Sequence, residues 1–401
     1  MEVARRLFGR LWRWEYAGLL LIVIVTVAIH FTFINTPNQP LFDEQHYIPD
    51  ARVILQQHNT NRGEHPPLSK LLIAGGMMAF GDNPYGWRIP SIIFGTAAIV
   101  FFFLVCRQLN MPRKAACAAT FLLAFENLTF VQSSIAMLDI FMLTFTIMAF
   151  WLYLRRSYPL AMVAVALATL CKLSGLLVAV PIVLHWVLVR RDQRWIFGAS
   201  MILSALSFLL LFAAFEMAIY HRMIDYVSAI NSMLSGTASL TFANTVHPSL
   251  SRPWLWMYWP PWQLPVAMPY YWTPHYLGVV SFGVWGLGIP SVAYMVWKAI
   301  KKNAAAIFGL LWFFGTYLLW IPLNLITDRD TYIFYFLPTI GALCIGETLI
   351  LYDLASWWWA KRSSKRRWPA IAFVGLFLAL HVAMFVIVSP VNSWRIDLWF
   401  R

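Results

Sequence analysis

The chain has 401 residues, of which 60% are hydrophobic and 12% charged, and its mean hydropathy is +0.66. Those values exclude a single soluble core and place it among polytopic membrane proteins. The net charge of +13 does not indicate a nucleic-acid partner, because the basic residues sit in short clusters between apolar runs, as the positive-inside rule describes.

A bilayer core of about 30 Å takes roughly 20 apolar residues per helix. By that measure the expected fold is an all-α polytopic membrane protein with eleven spans. They cover residues 16–34, 86–105, 115–131, 136–154, 159–171, 173–189, 195–220, 276–297, 304–326, 332–352 and 369–389. The first run follows a basic N-terminus, but it is about 19 residues long and lacks a small-residue cleavage site, so it is read as a retained anchor. Cys171 and Cys344 fall in or beside apolar runs, and Cys106 and Cys117 flank a basic loop, so no disulfide framework is implied.

With the N-terminus in the cytoplasm, the inner segments hold twenty of the thirty Lys and Arg residues, and every inner loop has some. The same orientation puts Asp43, Glu44, Asp50, Glu64, Asp82, Asp225, Asp328, Asp330 and Asp397 on the outer side. Two outer loops are long, 35–85 and 221–275, and both belong to one membrane domain spanning residues 1–401. The second carries SRPWLWMYWPPWQLP, dense in Trp and Pro, which suits a lid or rim at headgroup level.

The polar chemistry concentrates in residues 42–70, FDEQHYIPDARVILQQHNTNRGEHPPLSK. Adjacent carboxylates, Asp43 and Glu44, open the stretch directly after the first span. Ile48, Ala51, Ile54 and Leu55 recur at helical spacing behind them, and Pro49 lies near the start, which predicts an interfacial helix headed by the two acids. Ionisable groups gathered at one membrane surface in an otherwise apolar chain mark a functional site. Two acids at a helix N-terminus also have a purely structural use, worth about 0.3 to 1 kcal/mol.

Several segments together resemble the protein O-mannosyltransferase family, membrane glycosyltransferases of the GT-C fold. FDEQHY (42–47), HPPLSK (65–70) with Gly81, and GWRIPSIIFG (86–95) resemble family motifs of the first outer loop and the helix after it. SIAMLD (134–139), CKLSGL (171–176), HPSLSRPWLW (247–256) and RDTYIFYFLP (329–338) resemble later ones. Two features depart from the family. A second loop of about 55 residues is too short for the β-trefoil MIR domain of eukaryotic members, which makes this chain similar to the short prokaryotic type. The family's aromatic-His-aromatic step is Phe334, Tyr335, Phe336 here, so no role for that histidine carries over.

The resemblance implies transfer of mannose or a similar hexose from a polyprenyl or dolichyl phosphate to a Ser or Thr hydroxyl of an acceptor protein, on the extracytoplasmic face. Such a donor already carries a good leaving group, so the enzyme needs one base and cations for the departing phosphate. Asp43 is the expected general base, with Glu44 as its helper or as the base itself. Lys70, Arg88 and Arg329 are the expected phosphate holders, since guanidinium forks suit phosphate oxygens and Lys adds a point charge. Arg88 has a structural alternative, an ion pair with an acid such as Asp139, and Lys172 at a tight turn between two short spans is a further cation to consider. His46, Glu64, His65 and His247 are expected to position acceptor or sugar. Glu64 and His247 are also the residues to consider for a divalent metal, although their spacing matches no metal motif. The expected partners are the lipid-linked donor, the acceptor protein and membrane lipids. Two alternatives stand beside this: a GT-C transferase with a glycolipid or glycan acceptor, and a transporter, which would favour midplane charges and detectable repeat halves.

Overall fold

The computed structural model describes residues 16–257, 265–272, 274–360 and 367–392. The basic clusters at residues 5–13 and 361–366, part of the Trp- and Pro-rich segment, and Asp397 lie outside them.

The first apolar run forms α1 (Ala17–Phe33), and the expected interfacial helix follows as α2 (Glu44–Gln57), with Pro49 tolerated inside its first turns. The second half of the first loop adds α3 (Pro67–Phe80), which starts with proline at its first position, where the missing N–H costs nothing. α4 (Pro84–Gln108) begins with proline too, and the Asn83 side chain caps it by accepting from the Tyr85 and Gly86 N–H groups. α3 and α4 cross in near contact. A Cβ on Gly76 would lie 2.4 Å from the Gly86 carbonyl oxygen, so only glycine fits there.

The expected third span is broken. α5 (Arg113–Ala124) and α6 (Asn127–Ser134) meet at 61°. Glu126 stabilises the break: its Oε2 accepts from the Thr129 N–H and hydroxyl, and its Oε1 accepts from the Ser281 N–H at 3.0 Å. A buried carboxylate that satisfies three donors across the kink, including one 155 residues away, outweighs the continuity of the helix. α7 (Leu138–Leu154), α8 (Tyr158–Cys171), α9 (Leu173–Arg190) and α10 (Arg194–Tyr220) follow the expected runs, with Lys172 at the joint between α8 and α9. α11 (Tyr226–Ser239) lies in the second loop, capped by Asp225.

The all-α expectation needs one correction. β1 (Ala267–Tyr271) pairs antiparallel with β2 (Tyr276–Val279), in the register Ala267 with Val279 and Met268 with Gly278. The eighth apolar run therefore starts as a strand and becomes helical only at α12 (Phe282–Ile300). The Tyr276 hydroxyl donates to the Phe33 and Thr36 carbonyls, which ties the hairpin to the exit of α1. α13 (Ala304–Thr327), α14 (Leu337–Ala360) and α15 (Arg367–Val388) complete the described chain.

By length and composition, six helices among the described residues suffice to cross a membrane, or seven if α5 and α6 count as one bent span. Four shorter apolar helices, α1, α3, α7 and α8, stand beside them. The chain is thus a mostly helical, multi-pass membrane protein. The run Ile333–Trp357 is almost wholly buried at the centre of the bundle, whereas α10 and α15 expose most of their apolar surface and suit a lipid-facing position.

Candidate active site

Phe42 has a positive φ of 43°, and this bend turns the chain from α1 into α2 with Asp43 at the helix N-cap. Asp43 does not act as a cap: its side chain accepts no hydrogen bond from the helix N–H groups, nor from any other described residue. It faces a cavity of about 190 Å³ that is also lined by Tyr47, His65, Lys172, Arg329 and Asp330. Burial pushes the Asp43 carboxyl up to about 7; Lys172 and Arg62 oppose that rise, and Asp139 and Asp330 add to it. An unbonded carboxylate poised near neutral pH in a cleft has the properties of a general base.

Glu44, the next residue, points elsewhere and does not line the cavity. Its Oε1 accepts from Arg88 Nε at 3.0 Å and the Ala136 N–H at 2.8 Å, and its Oε2 from Arg88 at 2.8 Å and the Leu41 N–H at 2.9 Å. Both side chains of the pair are fully buried. Arg88 gives its remaining donors to the Ile34, Pro37 and Gln39 carbonyls. The pair joins the exit of α1, the start of α2, α4 and the turn before α7, and neither partner has a free group to offer a ligand. The Arg88 partner is Glu44, and Asp139 instead pairs with Lys172 at 2.8 Å.

Lys70 is likewise occupied and lines neither this cavity nor its neighbour. Its Nζ donates to Thr60 Oγ1 at 3.1 Å and to the Arg62 carbonyl at 3.0 Å, while Asp50 accepts from the Thr60 hydroxyl and the Asn61 N–H. Together they fix the loop of residues 58–66, which carries Arg62, Glu64 and His65 to the cavity wall. Arg62 contacts His46 Nδ1 at 2.5 Å and Glu64 at 3.5 Å. His65 lies 3.5 Å from the Tyr47 hydroxyl, and burial, with the nearby cations, holds its imidazole well below the usual range. It is therefore neutral at pH 7 and serves as a hydrogen-bonding group. His247 lines neither cavity; its ring rests against Phe42 and Tyr332, and its Nδ1 accepts from the Ser249 N–H. Among the described residues no three of His, Cys, Asp and Glu gather as a metal site.

The cations on the cavity are Arg62, Lys172 and Arg329. Lys172 sits over the rings of Tyr335, 4.2 Å from its centroid, and Phe334 at 4.7 Å. Arg329 donates to the Thr237 carbonyl and to the Tyr335 hydroxyl, the latter at 3.2 Å. Lys172, Arg329, Tyr335, Glu64 and His65 also border a second hollow of about 450 Å³. Its remaining wall is largely apolar, built from Leu173, Leu176 and Leu177 of α9, Leu234 of α11, and Trp320 and Leu323 of α13. A polar chamber and a greasy groove thus share one cationic partition. Asp330 and Tyr335 lie within the RDTYIFYFLP run, where nothing sets them apart, and Arg62 belongs to no motif; its only signal is that it neighbours Glu64 and His65.

Residues 64–221 match a family model described as dolichyl-phosphate-mannose-protein mannosyltransferase. Over 97% of its length the chain is 24% identical to the polyprenol-phosphate-mannose-protein mannosyltransferase of Mycobacterium tuberculosis, covering 92% of that protein. Its fold is similar to the Saccharomyces cerevisiae protein O-mannosyltransferase Pmt1–Pmt2 complex bound to the sugar donor. That likeness has a TM-score of 0.66 at 12% identity and covers 92% of this chain and 89% of the other. It is also similar to ArnT of Cupriavidus metallidurans bound to undecaprenyl phosphate, with a TM-score of 0.60 at 16% identity, over 93% of this chain and 71% of that one. Residues 64–221 are thus similar to the dolichyl-phosphate-mannose-protein mannosyltransferases, and the described chain shares the fold of the protein O-mannosyltransferase and ArnT structures.

Proposed function

We propose that the chain moves mannose from a polyprenyl-phosphate carrier to a Ser or Thr hydroxyl of an acceptor protein, in one inverting displacement. Asp43 takes the hydroxyl proton as the acceptor oxygen attacks the anomeric carbon, and the bond from that carbon to the phosphate oxygen breaks. The phosphate leaves as an anion against Lys172 and Arg329, so no proton donor is needed at the leaving oxygen. The observation that carries this reading is the unbonded Asp43 carboxylate in a polar chamber, whose cationic partition separates it from an apolar groove suited to a lipid tail.

In this reading Glu44, Arg88 and Lys70 are positioning residues that hold Asp43 and the 58–66 loop in place. His46, Glu64 and His65 border the acceptor and sugar space. The membrane domain is one unit of eleven spans, counting the bent pair α5–α6, the shorter apolar helices α1, α7 and α8, and α12 beside the six long helices, with the N-terminus in the cytoplasm and the loops 35–85 and 221–275 outside. The uneven distribution of basic residues supports that orientation.

The test is to reconstitute the purified protein with radiolabelled polyprenyl-phosphate mannose and extracts of its own host. Label entering protein, in a form stable to lipid extraction, is the expected result. Label confined to a glycolipid or glycan would move the acceptor to that class, and no transfer at all would reject a transferase.

A further inference from the structure

Beside Asp43 and Glu64 the cavity wall carries a third carboxylate, Asp330, and of the three residues it is the least exposed. Its residue is only 5% exposed. Its Oδ2 accepts one long bond, 3.3 Å, from the Thr245 hydroxyl. Its Oδ1 is buried and accepts no hydrogen bond from a described residue; Arg329 Nε lies 3.3 Å away, near enough to pair in charge but not aligned to donate. The backbone on both sides is fixed, since the Asp330 N–H donates to the Leu240 carbonyl and Arg329 bridges to Thr241. Glu44, also buried, has by contrast both oxygens saturated with four bonds. A carboxylate offers about four acceptor sites, and leaving them unmet in a buried place is costly.

We propose that Asp330 is a specificity-determining residue that accepts a hydrogen bond from a hydroxyl of the transferred sugar, with the Thr245 hydroxyl beside it. The inference rests on the transferase reading given above. A sugar ring brings several O–H donors into a chamber of about 190 Å³ whose wall otherwise supplies mostly cations and aromatic rings. Arg329 links the two halves of the donor, since its guanidinium faces both the leaving phosphate and the Asp330 carboxylate. Asp330 thereby reads the sugar from the side of the ring that lies near the phosphate partition. Asp43 and Asp330 divide the work: the first is left unbonded to take a proton, and the second is held by its backbone to accept hydroxyls.

The experiment crosses protein variants with donor analogues: wild type, Asp330→Asn and Thr245→Ala against polyprenyl-phosphate mannose and its 2-, 3-, 4- and 6-deoxy forms. Asp330→Asn is expected to lower kcat/KM for the full donor by about 10- to 100-fold, the range of a hydrogen bond to a charged group. One deoxy donor is expected to lose about as much with wild type and to show no further loss with Asp330→Asn. Thr245→Ala should give a smaller loss that is non-additive at the same ring position. Losses that multiply at all four positions would overturn the proposal and leave Asp330 a support for Arg329. If Asp330→Asn does not fold, Thr245→Ala carries the same cycle: non-additivity at one ring position supports the proposal, and multiplied losses at all four overturn it. Failure of the transferase reading shows itself separately, as an absence of transfer by wild type before any variant is compared.

Discussion

Asp43 and Glu44 are chain neighbours at the start of one helix, and the structure uses them in opposite ways. Glu44 sits in a closed joint, where each oxygen has two donors and the guanidinium opposite is used up on backbone carbonyls. Asp43, one residue earlier, faces a chamber and has no donor among the described residues. Successive residues on a helix point about 100° apart, so adjacent acids cannot share a task that needs one direction. In the proposed transferase, reactivity comes from leaving a carboxylate unsatisfied, and its neighbour supplies the rigidity which keeps it so.

That contrast sets what each substitution does. Asp43→Asn removes the proposed base, and transfer should fall by about 100- to 10,000-fold, the usual reach of general base catalysis. Because burial raises the Asp43 pKa to about 7, its ionised form weakens the fold as pH rises from the ordinary carboxylate range through 7. The amide variant should therefore melt no lower than wild type at pH 8, and a clear drop in its melting temperature would erase the distinction between the two acids. Glu44→Gln should do the reverse by leaving the Arg88 guanidinium buried without its countercharge, which costs about 3 to 5 kcal/mol. Thermal unfolding in detergent checks this. The double change Glu44→Leu with Arg88→Met should recover much of the loss, as a structural pair allows and a phosphate ligand does not.

A pH profile separates the two acids as well. If Asp43 is the base, kcat/KM falls about tenfold per unit below a pKa near 7 and levels off above it. A profile flat from pH 5 to 8 would remove Asp43 from the proton transfer. The smallest effect belongs to the loop that Lys70 holds. Thr60→Val removes one acceptor for Lys70 and one donor to Asp50, each bond worth about 1 kcal/mol, and should raise KM several-fold with little change in kcat. A change confined to kcat would show that the loop does more than shape the cavity.

How much of this could be read from the chain follows from the range of the contacts. The head of α2 was legible because its signal is local: a span, two acids, then apolar residues at helical spacing. The sequence also marked Lys172, at a joint between two short runs. The kink at Glu126 was not legible, because the donor that completes it, Ser281, lies 155 positions away. The same holds for Arg88: its motif suggested a phosphate ligand, yet its partner is Glu44, 44 residues earlier, and only the folded chain shows that no donor is left over. β2 looked like the start of a span because four buried residues of a strand and one turn of an apolar helix have the same composition.

The shared wall formed by Lys172, Arg329 and Tyr335 has a consequence for traffic. In the proposed transferase, a membrane-bound carrier and a water-borne polypeptide would meet at that wall from opposite sides, each along a passage of its own solubility. For an enzyme so built, the spent carrier can slip sideways into the bilayer while the modified chain departs upward. Neither exit has to wait for the other to clear.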